Sequence, residues 1–382
     1  MNTLPSGVQV FKDNLYTMLT GKFNEGSTSL DSLNKIALMH LDRKLTFPDS
    51  FKDIPELTKE QKEALEAFYR PYVRHMDDKY HRLYTYRADG KFYPEYIPED
   101  FYFMHIDSFY NDRRESAYLD NKCYYNKLFP DTKQPRTIAV RVGKNWLDER
   151  GKLITPEEVK RRIKAEDEIV IKQAVFSEGG FGVHFISGDD KFTQFRSILR
   201  NIKPDVILQE PIKQHPDMAA LNPSSVNTMR IMTWIDGNEV KVLRTLVRIG
   251  VGGDRVDNSS HGGLICGVNT DGTLGSKGVF HDGRQTCRHP ELDYAFGEKR
   301  IPNIEKAYEL VKNAHPSISH FRLVGWDVAI DEQGEATMVE VNFTLCGIND
   351  MQVCCGPLFG NDTKRMLDEV FYGKKAKLTT LL

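Results

Sequence analysis

The sequence predicts an α+β protein whose second half consists of antiparallel hairpins with helices packed on one face. The segments 236–238 (DGN) and 331–334 (DEQG) are turn signals, and each joins two apolar, β-branched runs. Between the two hairpins, the segment 304–313 carries apolar residues at helical spacing. A doubly wound parallel sheet would need crossover helices between its strands, so the tight turns argue against that fold class.

The composition is that of an ordinary soluble globular protein. Its 382 residues exceed the usual domain length of about 100–200 residues, so two or three packed units are expected. Hydrophobic residues make up 40% and charged residues 28%, which excludes the fibrous and disordered classes. The 52 Lys and Arg against 54 Asp and Glu give a net charge of -2, so no nucleic-acid partner is expected. Any anion site must therefore be local.

The six cysteines show no framework spacing, which indicates free thiols in a reducing cytoplasm. The first residues, MNTLPSGVQVFKDN, lack the basic and apolar regions of a signal peptide, and no stretch approaches 18 uncharged apolar residues. We therefore expect a cytoplasmic protein without a membrane span. The sequence gives no indication of an oligomeric state.

Residues 1–110 are rich in Tyr, Phe, His and charged residues, and we expect a mostly helical, aromatic-rich region there. One helix should begin at Thr58, whose hydroxyl can form a capping box with Gln61, and Pro71 should kink or end it. From Glu168 onward, short β-branched runs alternate with turn signals and a few helical stretches. A closing helix is expected over residues 361–371.

A lysine stands in the middle of the apolar run IVIKQAVF. Burying the Lys172 ammonium is costly unless an anion or a carboxylate meets it. Beyond the strand, Gly179, Gly180 and Gly182 offer backbone N–H groups that phosphate oxygens can approach. The alternative is an edge-strand lysine that reaches solvent beside a flexible glycine turn.

Three polar residues interrupt the apolar strands of the last hairpin, VGWDVAI and MVEVNF. An even-numbered turn sets Asp327 opposite Met338 and diagonal to Glu340. Side-chain alternation then places Asp327, Glu340 and Asn342 on one face. Two carboxylates and an amide oxygen are hard ligands, suited to Mg²⁺ with phosphate completing the shell. A solvated polar face is the alternative.

Arginines on the preceding hairpin form a third candidate group. Arg244 and Arg248 share a face of one strand, whereas the parity of the turn decides which of them lies on the face of Arg230. Guanidinium groups in a phosphate site stabilise the negative charge that develops during phosphoryl transfer. The alternative is salt bridging on the surface of the sheet.

Two further stretches are weaker candidates. Residues 257–267 (DNSSHGGLICG) form either a substrate loop or a plain turn. The residues in that stretch that could bind substrate are Asp257, Asn258 and His261. The Cys287-x-His289 spacing, with Cys266, has only a superficial likeness to a zinc site, since no CxxC pair accompanies it.

The order of these parts resembles the ATP-grasp superfamily: a buried strand lysine, a glycine loop, an apolar strand running into QEPI, paired arginine strands and a final D…ExN hairpin. Three segments are similar to the sugar-transfer-associated ATP-grasp proteins of bacterial polysaccharide gene clusters, over roughly residues 80–360. They are YIPEDFYFMHIDSFYNDRRESAYLDNK, ILQEPIKQHPDMAALNPSSVNTMRIMTW and LVGWDVAI…VEVN.

The resemblance implies an ATP-grasp fold, in which two α+β subdomains grip ATP. The small subdomain would occupy residues 111–212, with the glycine loop and a hinge. The large subdomain would occupy residues 213–382, with the metal-binding hairpin. Residues 1–110 would form the helical region on the substrate side of the cleft.

The resemblance also implies a role for each matched residue. Lys122 and Lys172 look like the two lysines that contact the α and β phosphates. The remaining ATP-binding residues would be Gly179, Gly180 and Gly182 in the loop and Gln209, Glu210 and Ile212 in the adenine hinge. The metal ligands would be Asp327, Glu340 and Asn342, and the catalytic residues would be Arg230, Arg248 and Lys172. Gln214, His215 or Asp217 would bind the ribose hydroxyls.

The activity that the resemblance implies is an ADP-forming carboxylate–amine ligase, with ATP and Mg²⁺ as cofactors and Mn²⁺ as an alternative ion. Its substrates would be small-molecule or saccharide carboxylates and amines, with an amino acid or amine joined to a sugar or uronic acid in polysaccharide biosynthesis. One alternative is a kinase that phosphorylates a hydroxyl, with His261 or Asp257 as its base. Another is a nucleotide-binding module without turnover.

Overall fold

The computed structural model describes residues 54–111, 116, 119–175, 182–202, 205–253, 255 and 262–373. They fall into two compact units. The first contains the described residues before 118, His320–Leu323 and those from Phe343 onward. The second contains the described residues within Tyr118–Ser319 and Val324–Asn342. None of the helices within these ranges is long and apolar enough to cross a membrane.

The first unit is helical and has an aromatic core, as the sequence predicts. Tyr69, Tyr80, Tyr84 and Tyr102 are among its fully buried side chains. Its main helices are α1 (Lys59–Tyr69), α2 (Lys79–Arg87), α3 (Glu99–Phe101), a π-helical segment (Tyr102–Asp107), α4 (Ser108–Tyr110), and, near the C-terminus, α10 (Asn349–Cys355), a 3₁₀ turn (Gly360–Asp362) and α11 (Thr363–Tyr372).

Two local predictions for this unit are confirmed. Thr58 and Gln61 form the expected capping box, and α1 ends at Tyr69, shortly before Pro71. The closing helix is present as α11, preceded by a 3₁₀ turn. Capping satisfies N–H groups of the first turn that have no partner inside the helix, which explains why α1 begins where it does.

The second unit contains two antiparallel sheets. Its strands are β1 (Thr137–Val142), β2 (Asn145–Leu147), β3 (Leu153–Ile154), β4 (Glu168–Gln173), β5 (Val183–Ser187), β6 (Val206–Gln209), β7 (Met229–Asp236), β8 (Glu239–Ile249), β9 (Leu264–Val268), β10 (Leu274–Phe280), β11 (Gln285–Thr286), β12 (Leu323–Ile330) and β13 (Ala336–Asn342). Its helices are α5 (Tyr125–Leu128), α6 (Pro156–Ala165), α7 (Lys191–Leu199), α8 (Pro216–Ala219) and α9 (Ile304–Ala314), with 3₁₀ turns at Lys122–Tyr124, Phe296–Glu298 and His315–Ile318.

The small sheet has the strand order β3-β2-β1-β6-β4-β5. Helices α6 and α7 supply Val159, Ile163 and Phe195 to the hydrophobic core beneath it. The sheet side of that core includes Ile171 and Leu208. Because β4 lies between β6 and β5, the lysine on β4 is on an interior strand, and the edge-strand alternative for Lys172 is wrong.

The large sheet has the strand order β11-β10-β9-β8-β7-β12-β13. Helix α9 forms where the apolar spacing predicts it, and it buries Ile304, Ala307 and Val311. The β7–β8 hairpin closes with a two-residue turn, since Asp236 pairs with Glu239. The pairings of β7 with β8 and of β12 with β13 are antiparallel, which confirms the predicted hairpins.

The register of the last hairpin differs from the prediction. A β-bulge between Asp327 and Val328 places Asp327 directly opposite Glu340, and Val328 takes the place opposite Met338. The turn is also longer than the predicted even-numbered turn, because Ile330 pairs with Ala336. The Asp331 carboxylate fills it by accepting the backbone N–H groups of Gln333 and Glu335, at 3.1 and 2.9 Å. The bulge thus brings two carboxylates closer together than the predicted diagonal arrangement would.

Candidate active site

Lys122 is fixed at the end of β4 by its neighbour in sequence. The Asn121 side chain caps the 3₁₀ turn by accepting the Cys123 N–H at 3.0 Å and donates to Asp205 at 2.8 Å. The Lys122 backbone N–H donates to the carbonyl of Ala174, just beyond β4, at 3.1 Å. These contacts hold the Lys122 backbone beside the small sheet while its side chain remains able to extend.

The Lys122 side chain reaches the large sheet. Its Nζ donates to Glu340 Oε1 at 2.7 Å, and the residue is 8% exposed. Burial alone would lower the pKa of Lys122, but the attraction and hydrogen bond of Glu340 outweigh it and raise the pKa. An ion pair therefore links the small sheet to β13.

Asp327 is the centre of a second charged group. Arg230 Nε and Nη2 donate to its two oxygens at 2.5 and 3.1 Å, and Arg248 Nη1 donates to Oδ2 at 3.0 Å. Although burial opposes ionisation, the two guanidinium groups lower the pKa of Asp327 to about 2. The carboxylate is therefore charged at all physiological pH values.

The β7–β8 register decides which arginines of β8 share the face of Arg230, a point that the sequence left open. Arg230 pairs with Leu246, so Arg244 and Arg248 both lie diagonal to it on the same face of β8. Only Arg248, among the described arginines of that strand, donates to Asp327. We call this side of the large sheet the charged face, defined by Arg230, Arg248, Asp327 and Glu340.

Lys172 lies on β4, where it pairs with Val183 and Ile207. Burial lowers its pKa to about 8, and the charge of Lys122 adds to this effect, while Glu340 opposes it. In the part of the chain that the structure describes, no carboxylate lies within ion-pair distance of Lys172. Its ammonium is thus a cation that an external anion can satisfy.

Lys172→Met should raise the free energy of unfolding at pH 7. The folded-state pKa of Lys172, about 8, lies below its usual value of 10.5, so the charged form destabilises the folded protein. This destabilisation is fully present below pH 8 and disappears as the pH rises towards 10.5. Urea unfolding of both proteins at pH 7 and pH 9.5 should therefore show a smaller difference at pH 9.5. An equal difference at both pH values would contradict the burial of this charge.

The segment after β6 connects the small sheet to the tip of the β12–β13 hairpin. Gln209 is 6% exposed, and the Glu210 N–H donates to the carbonyl of Arg136 at 3.0 Å. Ile212 follows, half-buried. Beyond it, the carbonyl of Lys213 accepts the N–H of Glu332 at 2.8 Å. The predicted adenine hinge is thus a connection between the two sheets.

The ribose candidates differ in availability. The Gln214 amide is occupied inside the protein, because it donates to Asn222 and Ser225 carbonyls and accepts the Asn227 N–H groups. His215 Nδ1 accepts the N–H of Asp217 at 3.1 Å. The Asp217 carboxylate is exposed. Gln214 therefore has a structural role, which leaves His215 and Asp217 as candidates.

The hairpin residues offer a donor set that fits a hard cation. Asp327 and Glu340 face each other across the strand pair. The Asn342 amide nitrogen donates to Gly325 at 3.3 Å, so its oxygen is the atom that can ligate a cation. No cluster of three or more His, Cys, Asp or Glu forms a metal site among the described residues. A cation here would therefore take two carboxylates, one amide oxygen and ligand oxygens, which suits Mg²⁺.

Five of the predicted residues are outside the described residues: Gly179, Gly180, Asp257, Asn258 and His261. Gly182 is described and has φ +76°, and a Cβ there would come within 2.9 Å of Gln173 Cβ, so this position requires glycine. His289 is satisfied by the backbone, with Nδ1 accepting the Glu291 and Leu292 N–H groups, which explains it without zinc.

Two further charged residues were not singled out from the sequence: Asp120 next to Asn121, and Arg255 beside the start of β4. Asp120 is exposed at the surface and interacts electrostatically with Lys122 and Glu340. Arg255 donates to Glu168 on β4, at 3.0 Å from Nη2, and its guanidinium lies 3.9 Å from the centre of the Phe185 ring. Their signals were weak: Asp120 directly precedes the LDNK asparagine, and Arg255 is one arginine among many.

Comparison with solved structures found enzymes of low similarity to this chain. An N5-carboxyaminoimidazole synthetase from Staphylococcus aureus complexed with ADP shares 10% identity, with a TM-score of 0.42, over 70% of this chain and 55% of that one. The biotin carboxylase domain of the 2-oxoglutarate carboxylase from Hydrogenobacter thermophilus, with MgADP, shares 12% at a TM-score of 0.42, over 69% and 48%. The D-alanyl-alanine synthetase A from Vibrio cholerae shares 13% at 0.38, over 68% and 65%.

The chain thus spans between about half and two thirds of the length of these proteins. Comparison with curated proteins found no match. The family model described as sugar-transfer associated ATP-grasp matches residues 104–365, which is more than half of the chain. That match includes both sheets, both lysines and the charged face. The protein therefore belongs to the sugar-transfer-associated ATP-grasp family and has the ATP-grasp fold, with a helical, aromatic-rich N-terminal region.

Proposed function

We propose that this protein is an ATP- and Mg²⁺-dependent carboxylate–amine ligase that works through an acyl phosphate. The observation that carries the proposal is the charge balance of the site. Lys122 donates to Glu340, and Arg230 and Arg248 donate to Asp327. Lys172 is a fourth cation, which interacts electrostatically with Glu340, and Asp120 also interacts with Lys122 and Glu340. The excess of positive charge favours a polyanion such as the triphosphate of ATP.

ATP would lie between the two sheets. The hinge residues Gln209, Glu210 and Ile212 would read the adenine edge, and Lys122 and Lys172 would contact the α and β phosphates. The γ-phosphate would then lie on the charged face, near Arg230 and Arg248. When bound by Asp327, Glu340 and Asn342, Mg²⁺ would neutralise phosphate charge and make the γ-phosphorus more electrophilic.

In the first step, a carboxylate oxygen of the substrate attacks the γ-phosphorus, and the bond from that phosphorus to the β-γ bridging oxygen breaks. ADP leaves, and an acyl phosphate remains. The arginines stabilise the oxygens that gain negative charge, and they are held in place by Asp327 before the reaction begins. In the second step, an amine attacks the acyl carbon, phosphate leaves, and the amine loses a proton to give the amide.

This mechanism relies on positioning and charge rather than on a protein nucleophile. That agrees with a charged face made of arginines and carboxylates, with Lys122 bound to Glu340. The family name connects the protein with sugar transfer. We therefore propose that the product joins an amino acid or amine to a sugar or uronic acid in polysaccharide biosynthesis, in the cytoplasm.

The decisive assay traps the acyl phosphate. Amino acids and uronic acids are screened with ATP, Mg²⁺ and hydroxylamine, and both the nucleotide product and hydroxamate are measured. The expected result is ADP together with hydroxamate. AMP with pyrophosphate would show adenylation and reject the mechanism. ADP with a stable phosphorylated sugar, inert to hydroxylamine, would show a kinase instead.

The metal ligands can be tested without knowing the substrate. Glu340→Gln and Asn342→Ala should lose most of the Mg²⁺-dependent rise in melting temperature that ATP produces, because the donor set is incomplete. Without ligand, both variants should unfold cooperatively. Glu335→Gln, on the same hairpin but in an exposed ion pair with Lys306, is the matched control and should keep the shift. Wild-type shifts in both site variants would remove the hairpin from the metal site.

A further inference from the structure

Arg244 is a cation on the charged face that the proposed reaction does not use. It shares the β8 face of Arg248 and pairs with Met232 of β7. The residue is half-buried. Within the described part of the chain, its guanidinium has one hydrogen bond, from Nη1 to the carbonyl of Leu243 at 2.9 Å, and no ion pair. The salt bridge that would explain a surface arginine is therefore absent from these residues.

One hydrogen-bond donor of Arg244 destabilises the protein when no ligand is bound. Its Nε–H is buried and has no hydrogen-bond acceptor among the described residues. A buried donor without an acceptor destabilises the folded protein, and more so when the group is charged. Native proteins retain few such groups, and each calls for an explanation. An oxyanion, which accepts two parallel bonds from a guanidinium edge, would satisfy Nε and a terminal nitrogen together.

The position of Arg244 along the sheet shows at which end of the charged face it lies. Arg230 meets Asp327, whereas Thr233, further along β7, meets Trp326 and the Val324 carbonyl. Strands β7 and β12 therefore run antiparallel to each other. Because Met232 and its partner Arg244 lie beyond Arg230 in this direction, they are displaced towards the start of β12.

The adenine hinge lies at the opposite end. Its continuation pairs with the hairpin tip, since the His215 N–H donates to the Ile330 carbonyl at 2.9 Å. Along the charged face the order is therefore the hinge, then Asp327 with its two arginines, then Arg244. A nucleotide that extends from the hinge reaches the arginines with its last phosphate, so Arg244 lies on the far side of the reacting centre.

We propose that Arg244 binds a second oxyanion, a phosphate or a carboxylate, of the substrate that becomes phosphorylated. The proposal rests on the proposed ligase function for the orientation of ATP, and it narrows the substrate class. Arg230 and Arg244 are diagonal neighbours across two strands, so their backbones are about 7–8 Å apart. The substrate therefore carries one anionic group at the reacting carboxylate and another roughly one sugar ring away.

This separation distinguishes between possible sugar substrates. A uronic acid with a phosphate on its anomeric carbon carries its two anionic groups on opposite sides of the ring. A free uronic acid carries only the reacting carboxylate and would leave Arg244 without a partner. A dicarboxylate with a chain of several carbons would present the same pair of charges without a sugar.

Arginine modification by phenylglyoxal tests the site without turnover. With the nucleotide site saturated by MgADP, the rate of modification at Arg244 is read by peptide mass spectrometry. The probes are inorganic phosphate, glucose 1-phosphate and glutarate, each against sodium chloride at equal ionic strength. At saturation, at least one probe should slow modification of Arg244 about tenfold, the factor expected for about 1.4 kcal/mol of differential binding. Arg284, which is 72% exposed, should react at one rate throughout.

The three probes separate the two sources of the oxyanion. Protection by both phosphates, with none from glutarate, assigns a phosphate, and the reverse assigns a carboxylate. Arg244→Gln should weaken binding of the protecting probe about tenfold and leave MgADP affinity within about twofold. An unchanged rate at Arg244 with all three probes, or unchanged probe affinity in Arg244→Gln, would overturn the proposal. If the wild-type protein formed no hydroxamate from any substrate of the screen, the ligase function would be rejected instead, whatever the modification rates of Arg244.

Discussion

Asp327→Ala should lower the free energy of unfolding by about 3–5 kcal/mol, the cost of breaking a buried ion pair from one side. The carboxylate is 4% exposed and is the shared partner of Arg230 and Arg248. Removing it takes away the counter-ion that the two guanidinium groups share. Urea unfolding at pH 7 measures the change.

Glu335→Ala is the control for Asp327→Ala. It removes an ion pair of the same hairpin, but both partners are well exposed, at 39% and 49%. Exposed pairs contribute about 0–1 kcal/mol, so this variant should be nearly as stable as the wild type. If the two variants lost the same stability, the arginines would not depend on Asp327 for compensation.

Arg230→Ala should lower kcat by about 10²–10³-fold in the hydroxamate assay, using a substrate identified in the screen. In the proposed mechanism the lost guanidinium stabilises charge that is greater in the transition state than in bound ATP, so the affinity for MgATP should change much less. Asp327 keeps Arg248 as a partner, which limits the loss of stability. Arg284→Ala, in an exposed turn, is the control and should leave kcat unchanged. A large fall in MgATP affinity with kcat intact would assign Arg230 to ground-state binding.

Local patterns in the sequence were sufficient to predict several elements. The DGN turn closes β7 and β8 as expected, because a two-residue turn depends on its own residues and on the twist of the flanking strands. The same holds for the capping box at Thr58. The apolar run around Lys172 indicated burial, and the structure shows an interior strand.

Features that depend on distant residues could not be predicted in the same way. The bulge between Asp327 and Val328, which places Asp327 opposite Glu340, has no signal in the local sequence pattern. The β7–β8 register was needed to place Arg244 and Arg248 on the face of Arg230, and only the contact with Asp327 distinguishes the two. The anchoring of Lys122 depends on Asn121 and Asp205, which are 84 residues apart in sequence. Its role could therefore be inferred only from resemblance.

The Lys122–Glu340 ion pair would make the two proposed ligands of the site, Mg²⁺ and ATP, depend on each other. In the free protein each of these side chains neutralises the other. A phosphate that takes Lys122 would release Glu340 for a cation, and a cation on Glu340 would release Lys122 for a phosphate. Whichever ligand arrives first bears the cost of separating the pair, and the second does not. Metal and nucleotide should therefore bind with positive heterotropic cooperativity, of equal size from either direction.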